Sequence, residues 1–277
     1  GIKLISTDPV AGQAFQFANE AMYEQMIYSR WAKENIKNGG KSMTDSPPEN
    51  EYEENKPAKW YIFQIAFILL NLKSIFDPNS DDREIVDLLW FPTGGGKTEA
   101  YLGIVAFILA MRRLRKDNDG VNVIMRYTYR LLTIQQFQRA SALMCACEHI
   151  RTRSSTMVKK WGKEPFLVGL FVGGDTTPND LTTANDNLGK DSKKQNPVQI
   201  VSCPWCGKTL THHNYRIAST PKRMAIKCAN PNCYFGDEDD DKSFLPVVFI
   251  DDDIITTLPS LLIGTVDKFA RLPWETK

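Results

Sequence analysis

The sequence carries almost no excess charge. Its 34 Lys and Arg face 33 Asp and Glu, a formal net charge of +1, so a nucleic-acid partner would have to be held by local patches and not by a basic chain overall. Long apolar runs are also missing. The longest, near 61–72 and 100–111, fall short of the roughly 20 residues a membrane helix needs. No secretory signal pattern is apparent at the N-terminus. Cysteine is sparse, 6 in 277 residues, and four of the six fall in two close pairs, which suits metal binding in a reducing compartment better than disulfides. These absences predict a soluble, cytoplasmic protein with no membrane partner. The 42% hydrophobic content provides for one large domain, or a domain with an insertion.

What is present centres on Trp90-Phe-Pro-Thr-Gly-Gly-Gly-Lys-Thr98. Ile85–Phe91 is an apolar run of strand length, and from Lys97 to about Lys116 apolar residues recur at helical spacing before a basic last turn. Strand, glycine-rich turn and helix together form the context that a phosphate-binding loop requires. Gly94, Gly95 and Gly96 can turn backbone N–H groups inward, where a Cβ would obstruct a phosphate. The helix N-terminus adds positive potential at the same spot. Thr93 to Thr98 are therefore the candidate ATP-binding residues. Lys97 would reach the β/γ-phosphates and the Thr98 hydroxyl would ligate Mg²⁺, which makes these two the catalytic candidates. Glu99 stands in the first helical turn, where the dipole alone favours an acid. Phe91 replaces the glycine of the commoner phosphate-loop pattern.

The chain divides into four stretches. Residues 1–58 read as an N-terminal helical segment, with an aromatic and Met stripe over 13–34 that signals packing, followed by a polar loop at 37–58. Residues 59–197 form the first part of an α/β domain. A helix from Trp60 to Leu72 is apolar almost all round and so predicted to be buried; a turn at Asp117–Gly120 leads to an alternating strand, Val121–Tyr127. A helix near Leu131–Ile150 and a strand, Phe166–Val172, follow, the strand ending in Gly173-Gly174; 176–197 reads as a mobile polar loop.

Residues 198–240 read as an insertion. Cys203-Pro-Trp-Cys206-Gly and Cys228-Ala-Asn-Pro-Asn-Cys233 place two thiolates on each of two tight turns. Four soft sulfur ligands suit a closed, structural tetrahedral Zn²⁺ site, which would staple a small loop-rich unit. His212 or His213 could substitute for one cysteine. Cys145, Cys147 and His149 also cluster in sequence, but residues two apart on a helix point to different faces, so packing is the better account. In 241–277, Leu245–Ile250 followed by Asp251-Asp252-Asp253 has the form of an apolar strand ending in acids, the Mg²⁺-water site of an ATPase. Leu261–Phe269 then supplies a further strand and helix start.

Pro92-Thr-Gly-Gly-Gly-Lys-Thr98 resembles motif I of superfamily 2 helicases. Thr128-Tyr-Arg130-Leu-Leu-Thr-Ile-Gln135 resembles their motif Ia, and Leu261-Leu-Ile-Gly-Thr265-Val-Asp-Lys268-Phe their motif Ib. The stretch from Trp60 to Trp274 is thus similar to a first RecA-like domain. Its wording, with Ser-Cys-Pro-Trp-Cys-Gly and Ile-Gly-Thr-Val-Asp-Lys-Phe-Ala, resembles the helicase component of the bacterial DISARM anti-phage system. The resemblance implies an α/β, RecA-like P-loop NTPase domain with a parallel sheet, an N-terminal helical segment and an inserted zinc ribbon. It implies Gln64 at the adenine edge (a satisfied core amide is the other reading), and Arg130, Gln135, Gly173, Gly174, Thr265 and Lys268 on a nucleic-acid backbone, expected to be DNA. Because motif Ib precedes the acidic box, Asp251 gives way to an acid beyond Lys277, so the sequence is expected to be part of a longer ATPase, with other defence subunits as partners. The alternative is a nucleic-acid or protein adaptor whose zinc ribbon does the binding and whose nucleotide site is regulatory.

Overall fold

The computed structural model describes residues 1–39, 59–92, 94–117, 120–190, 194–219, 221–236 and 243–275, with side chains up to residue 270. Most of the polar loop at 37–58, the acidic run at 237–241 and Thr93 lie outside the described residues.

Helix α1 (Ile2–Thr7) leads into α2 (Pro9–Lys37), which is longer than the 13–34 stripe predicts. Its start is fixed locally: the Asp8 carboxylate accepts the Val10 and Ala11 N–H groups at 2.9 and 3.0 Å, and Pro9 opens the first turn. Helix α3 (Ile62–Phe76) buries only Gln64, Ile68, Leu72 and Phe76, one stripe at four-residue spacing. The expectation of burial all round fails because Ile62 and Leu70 lie on the outer face, 87% and 68% exposed. Helix α4 (Lys97–Arg115) follows the phosphate loop. It packs along α2, where the fully buried Ala11, Ala14 and Ala21 leave room for close approach.

Strand β1 (Val123–Tyr127), helix α5 (Arg130–Thr152) and strand β2 (Val168–Phe171) fall where the sequence pattern places them; a short helix, α6 (Ser155–Trp161), which the sequence reading does not include, lies between α5 and β2. The 176–197 stretch holds a helix, α7 (Leu181–Asn187), that its polar composition concealed. Asp180 caps it, accepting the Thr183 N–H at 2.8 Å, so a local hydrogen bond stands in for the missing apolar period. Next come the hairpin strands β3 (Tyr215–Ser219) and β4 (Lys222–Ile226), then β5 (Val247–Val248), α8 (Asp251–Thr257), β6 (Leu261–Thr265) and α9 (Val266–Glu275).

Among the described residues the main sheet runs β1-β6-β2-β5 and every pair is parallel, with Val123 opposite Leu261 and Val168 opposite both Leu261 and Val247. β2 and β6 are buried throughout, as a parallel sheet with covered faces requires. The carboxyl ends of β1, β6 and β2 lie side by side and deliver Tyr127, Thr265 and Phe171 to one edge.

The apolar run Ile85–Phe91 forms no strand. Val86, Leu88 and Trp90 are 91%, 81% and 88% exposed, and none of the described strands pairs with the run. Strand-like composition fits a pleated surface, but only a neighbouring strand supplies the ladder.

The cysteine insertion shares the core of the rest of the chain. Trp205, Leu210, Tyr215 and Phe235 join Phe17, Phe107 and Phe137 in one buried cluster. The Asp253 carboxylate of α8 accepts the Met224 N–H of β4 at 2.8 Å, and burial raises its pKa to about 6.

Candidate functional site

The glycine-rich loop before α4 holds two left-handed glycines, Gly94 at φ +80° and Gly96 at φ +89°, a conformation in which an L side chain is strained. Gly95 is required for space, because a Cβ there would meet the Phe91 ring at 2.7 Å. Gly96 is the residue before α4, and no side chain caps that helix. The first-turn N–H groups are therefore left for an anion, with the helix dipole behind them. Lys97 is folded onto the loop itself: its ammonium donates to the carbonyls of Phe91 and, at 3.0 Å, Pro92. Those are weak holds compared with a polyphosphate. Thr98 is half-buried beside it.

Gln64 reaches the loop from α3. Its Oε1 accepts the Tyr61 N–H and its Nε2 donates to the Gly96 carbonyl, both at 2.8 Å. Both amide atoms are thus engaged by backbone, one bond closing the start of α3 and the other holding the residue before Lys97. Phe63 stacks on Phe91 at 3.8 Å, which fixes α3 against the loop a second way. Glu99 is ion-paired with Arg139 of α5, whose pKa burial lowers. This pair ties the first turn of α4 to α5. Sequence reasoning gave Glu99 only a dipole role; its partner lies 40 residues away and leaves no local signal.

These groups border a cavity of about 1880 Å³. Gly94–Thr98 form its floor, with walls from α2, the start of α3, and Leu132 and Gln136 of α5.

The residues expected on nucleic acid separate into two sets. Arg130 and Gln135 are exposed at the start of α5, and the Arg130 guanidinium lies 3.8 Å from where a Cβ on Gly173 would stand. Arg130 and Gly173 thus meet at the sheet's carboxyl edge, with Gly174 next in the chain. Thr265 and Lys268 reach the same end of the sheet but face inward, each 5% exposed. Sequence reasoning places Lys268 on a bound strand; here its ammonium is 2.6 Å from the Asp251 carboxylate. A phosphate contact would require that pair to open. Breaking one side of a buried ion pair costs about 3–5 kcal/mol, so Lys268→Ala should lower the thermal midpoint by about 10 °C. A variant that melts like wild type and loses only DNA affinity would put Lys268 on the nucleic acid after all. Asp251, the first residue of α8, sits beyond the short strand β5 at the sheet edge opposite β1.

The four cysteines converge. Cys203, Cys206, Cys228 and Cys233 are all buried, and their sulfurs lie within 4.8 Å of one another. Cys203 to Cys233 is 4.0 Å and Cys206 to Cys228 is 3.5 Å. A disulfide needs about 2.05 Å, whereas a tetrahedron with Zn–S near 2.3 Å has edges of about 3.8 Å. Sulfur ligands at these separations fit Zn²⁺ and leave no open position. Burial raises the Cys203 thiol. His212 and His213 are exposed, their rings in tilted contact with each other, and neither belongs to the cluster. Cys145 and Cys147 are buried in α5, outside the cluster, as the packing reading expects. His149 is bonded to Glu24 at 2.9 Å.

No family model matches the chain. Over 297 aligned residues it is 39% identical to a protein of Bacillus paralicheniformis named DISARM protein DrmA, and the match takes in 100% of the chain. The chain is similar to DrmA throughout. The phosphate loop and all four cluster cysteines lie within the matched span, so both sites belong to the DrmA-like region. The chain spans only about a quarter of DrmA, 25% of its length. Among the described residues no helix is long and apolar enough to cross a membrane.

Proposed function

We propose that this chain is the ATP-binding, RecA-like lobe of an ATP-dependent DNA helicase or translocase acting in anti-phage defence. One observation carries the reading: two left-handed glycines open an uncapped helix N-terminus, with Lys97 held by loop carbonyls, at the border of a cavity with ample room for a nucleotide. Gly94–Gly96 cradle the β- and γ-phosphates with backbone N–H groups. Lys97 leaves the Phe91 and Pro92 carbonyls and neutralises charge that develops on the transferred phosphoryl group. Gln64 keeps the Gly96 carbonyl turned outward, which leaves the adjacent N–H groups facing the phosphates. The Thr98 hydroxyl is the residue that would hold Mg²⁺, whose chemistry is to draw negative charge off the phosphate oxygens. Arg130, Gln135, Gly173 and Gly174, gathered at the sheet's carboxyl edge, take the phosphates of the DNA strand and position it without reading sequence. The name of its relative supports a role in the DISARM system, and other subunits of that system are the partners this reading expects.

A second reading has one observation behind it. Asp251, the acid closest in form to an ATPase metal-water site, is held by Lys268. A lobe without a free acid at that position suits an adaptor with a regulatory nucleotide site. Hydrolysis by the DrmA-length protein decides between the two. The motor reading expects ATP turnover that rises at least ten-fold with added DNA, while the 277-residue chain binds ATP and hydrolyses it slowly. DNA binding without any stimulated turnover would favour the adaptor.

A further inference from the structure

The cavity over the phosphate loop has a wall that phosphates do not need. Asn19, Tyr23, Met26 and Arg30 of α2 all line it, at positions i, i+4, i+7 and i+11, which form one stripe of the helix. Asn19 fixes the direction of the stripe. Its Oδ1 accepts the Trp60 indole N–H at 2.8 Å, so this side of α2 faces the start of α3, where Tyr61 and Gln64 stand. The sequence reading treated the α2 aromatics as packing, and for Phe17 and Trp31 they are, at 1% and 4% exposure. Tyr23 differs, being 38% exposed on the cavity side.

Gln64 is 3% exposed, and each of its amide atoms already bonds backbone at Tyr61 and Gly96, so groups that face the cavity are better placed to read a base. The stripe supplies the right kinds. An aromatic base offers a flat π face, which a phenol ring or a thioether covers well. It also offers ring nitrogens or a carbonyl at its edge, which the planar donors of a guanidinium match. Arg30 Nη2 donates to the Met26 sulfur at 3.3 Å, so the guanidinium is laid along the same wall as the apolar groups and not extended into solvent.

We propose that the α2 stripe is the base subsite of this cavity, with Tyr23 and Met26 on the face of the aromatic base and Arg30 on its acceptor edge. This rests on the nucleotide reading of the loop. It makes the N-terminal helix part of the nucleotide site, although that helix precedes every phosphate-binding residue in the chain.

Titration calorimetry of the 277-residue chain with Mg-ATP, and separately with inorganic tripolyphosphate, tests it. Wild type binds both ligands. Tyr23→Ala and Arg30→Ala each lower ATP affinity by about ten-fold, the order of one lost base-stacking or edge contact, and leave tripolyphosphate affinity unchanged. Tyr23→Phe keeps ATP affinity, because the ring and not the hydroxyl covers the base. ATP affinity unchanged in both alanine variants overturns the subsite while leaving the phosphate loop standing. Wild type that binds neither ligand overturns the loop reading, and the subsite with it. If an alanine variant melts early, Arg30→Gln and Tyr23→Leu, which keep bulk, decide the point by the same comparison of the two ligands.

Discussion

Removing zinc from this chain should abolish its cooperative thermal transition, and Cys206→Ser should do nearly the same. Structural zinc on four thiolates contributes about 10–16 kcal/mol of apparent binding free energy, comparable to or above the whole stability of an ordinary domain. The loss would not stay in the ribbon, because the ribbon is docked on the helices. Trp205, between the first two ligands, stacks on Tyr28 of α2 at 3.5 Å. Asn35 of α2 donates to the Cys206 carbonyl at 2.8 Å. Gly207 adopts φ +76°, and a Cβ there would meet the Ala32 carbonyl oxygen at 2.3 Å, so the turn and the helix are pressed together. The Tyr215 hydroxyl closes the ribbon's other side, donating to the Ile200 carbonyl at 2.7 Å. Circular dichroism melts with and without chelator, with metal content measured on the same samples, check this. A metal-free chain with an unchanged melting curve would rule out zinc as a staple of the fold.

Lys97→Ala should leave the fold intact and remove nucleotide function. The lysine is half-buried at the loop, and its bonds are to two carbonyls that water can satisfy. The melting point should therefore move by no more than about 2 °C, and bound zinc should be retained. Mg-ATP affinity in the isolated chain should fall at least ten-fold. DNA-stimulated hydrolysis in the longer protein should fall at least about 100-fold, because preorganised charge at the transferred phosphoryl group is usually the largest catalytic contribution. Calorimetry on the chain and a phosphate-release assay on the longer protein measure the two effects. Undiminished hydrolysis with Ala at 97 would show that the loop is not the site of turnover. The pairing with zinc removal is informative, since one change strikes the whole fold while the other leaves the fold and strikes the loop alone.

The glycine turn before α4 and the cysteine cluster can be read from sequence because their determinants are local. Three glycines before Lys97 specify a turn whatever surrounds them, and Cys-x-x-Cys brings two sulfurs to one metal through its own backbone. Helices α4 and α5 are likewise visible as side-chain periods of 3.6, β1 as a period of 2, and β2 as a short apolar run. Ile85–Phe91 was misread for the complementary reason. Its composition is that of a strand, but a strand exists only when another segment pairs with it, and pairing is not written in the run itself. Helix α7 was missed because its signal is the Asp180 cap and not an apolar period.

The roles of single side chains needed the tertiary structure most. Gln64 reads equally as an adenine contact or a core amide until Tyr61 and Gly96 are seen to hold both its ends. Lys268 reads as a surface cation until Asp251 is found beside it. Glu99 gains a partner in Arg139 only when α4 and α5 come together. The sequence by itself determined that this chain has a glycine-rich turn before a helix and four convergent thiols, because spacing along the backbone is enough for each. Only the tertiary structure decided which charges face the cavity and which are spent on each other. It also decided that the cysteine insertion shares one core with the helices, and that α2 walls the cavity over the glycine-rich loop. Those outcomes depend on groups far apart in the chain, and no local pattern records which of them will meet.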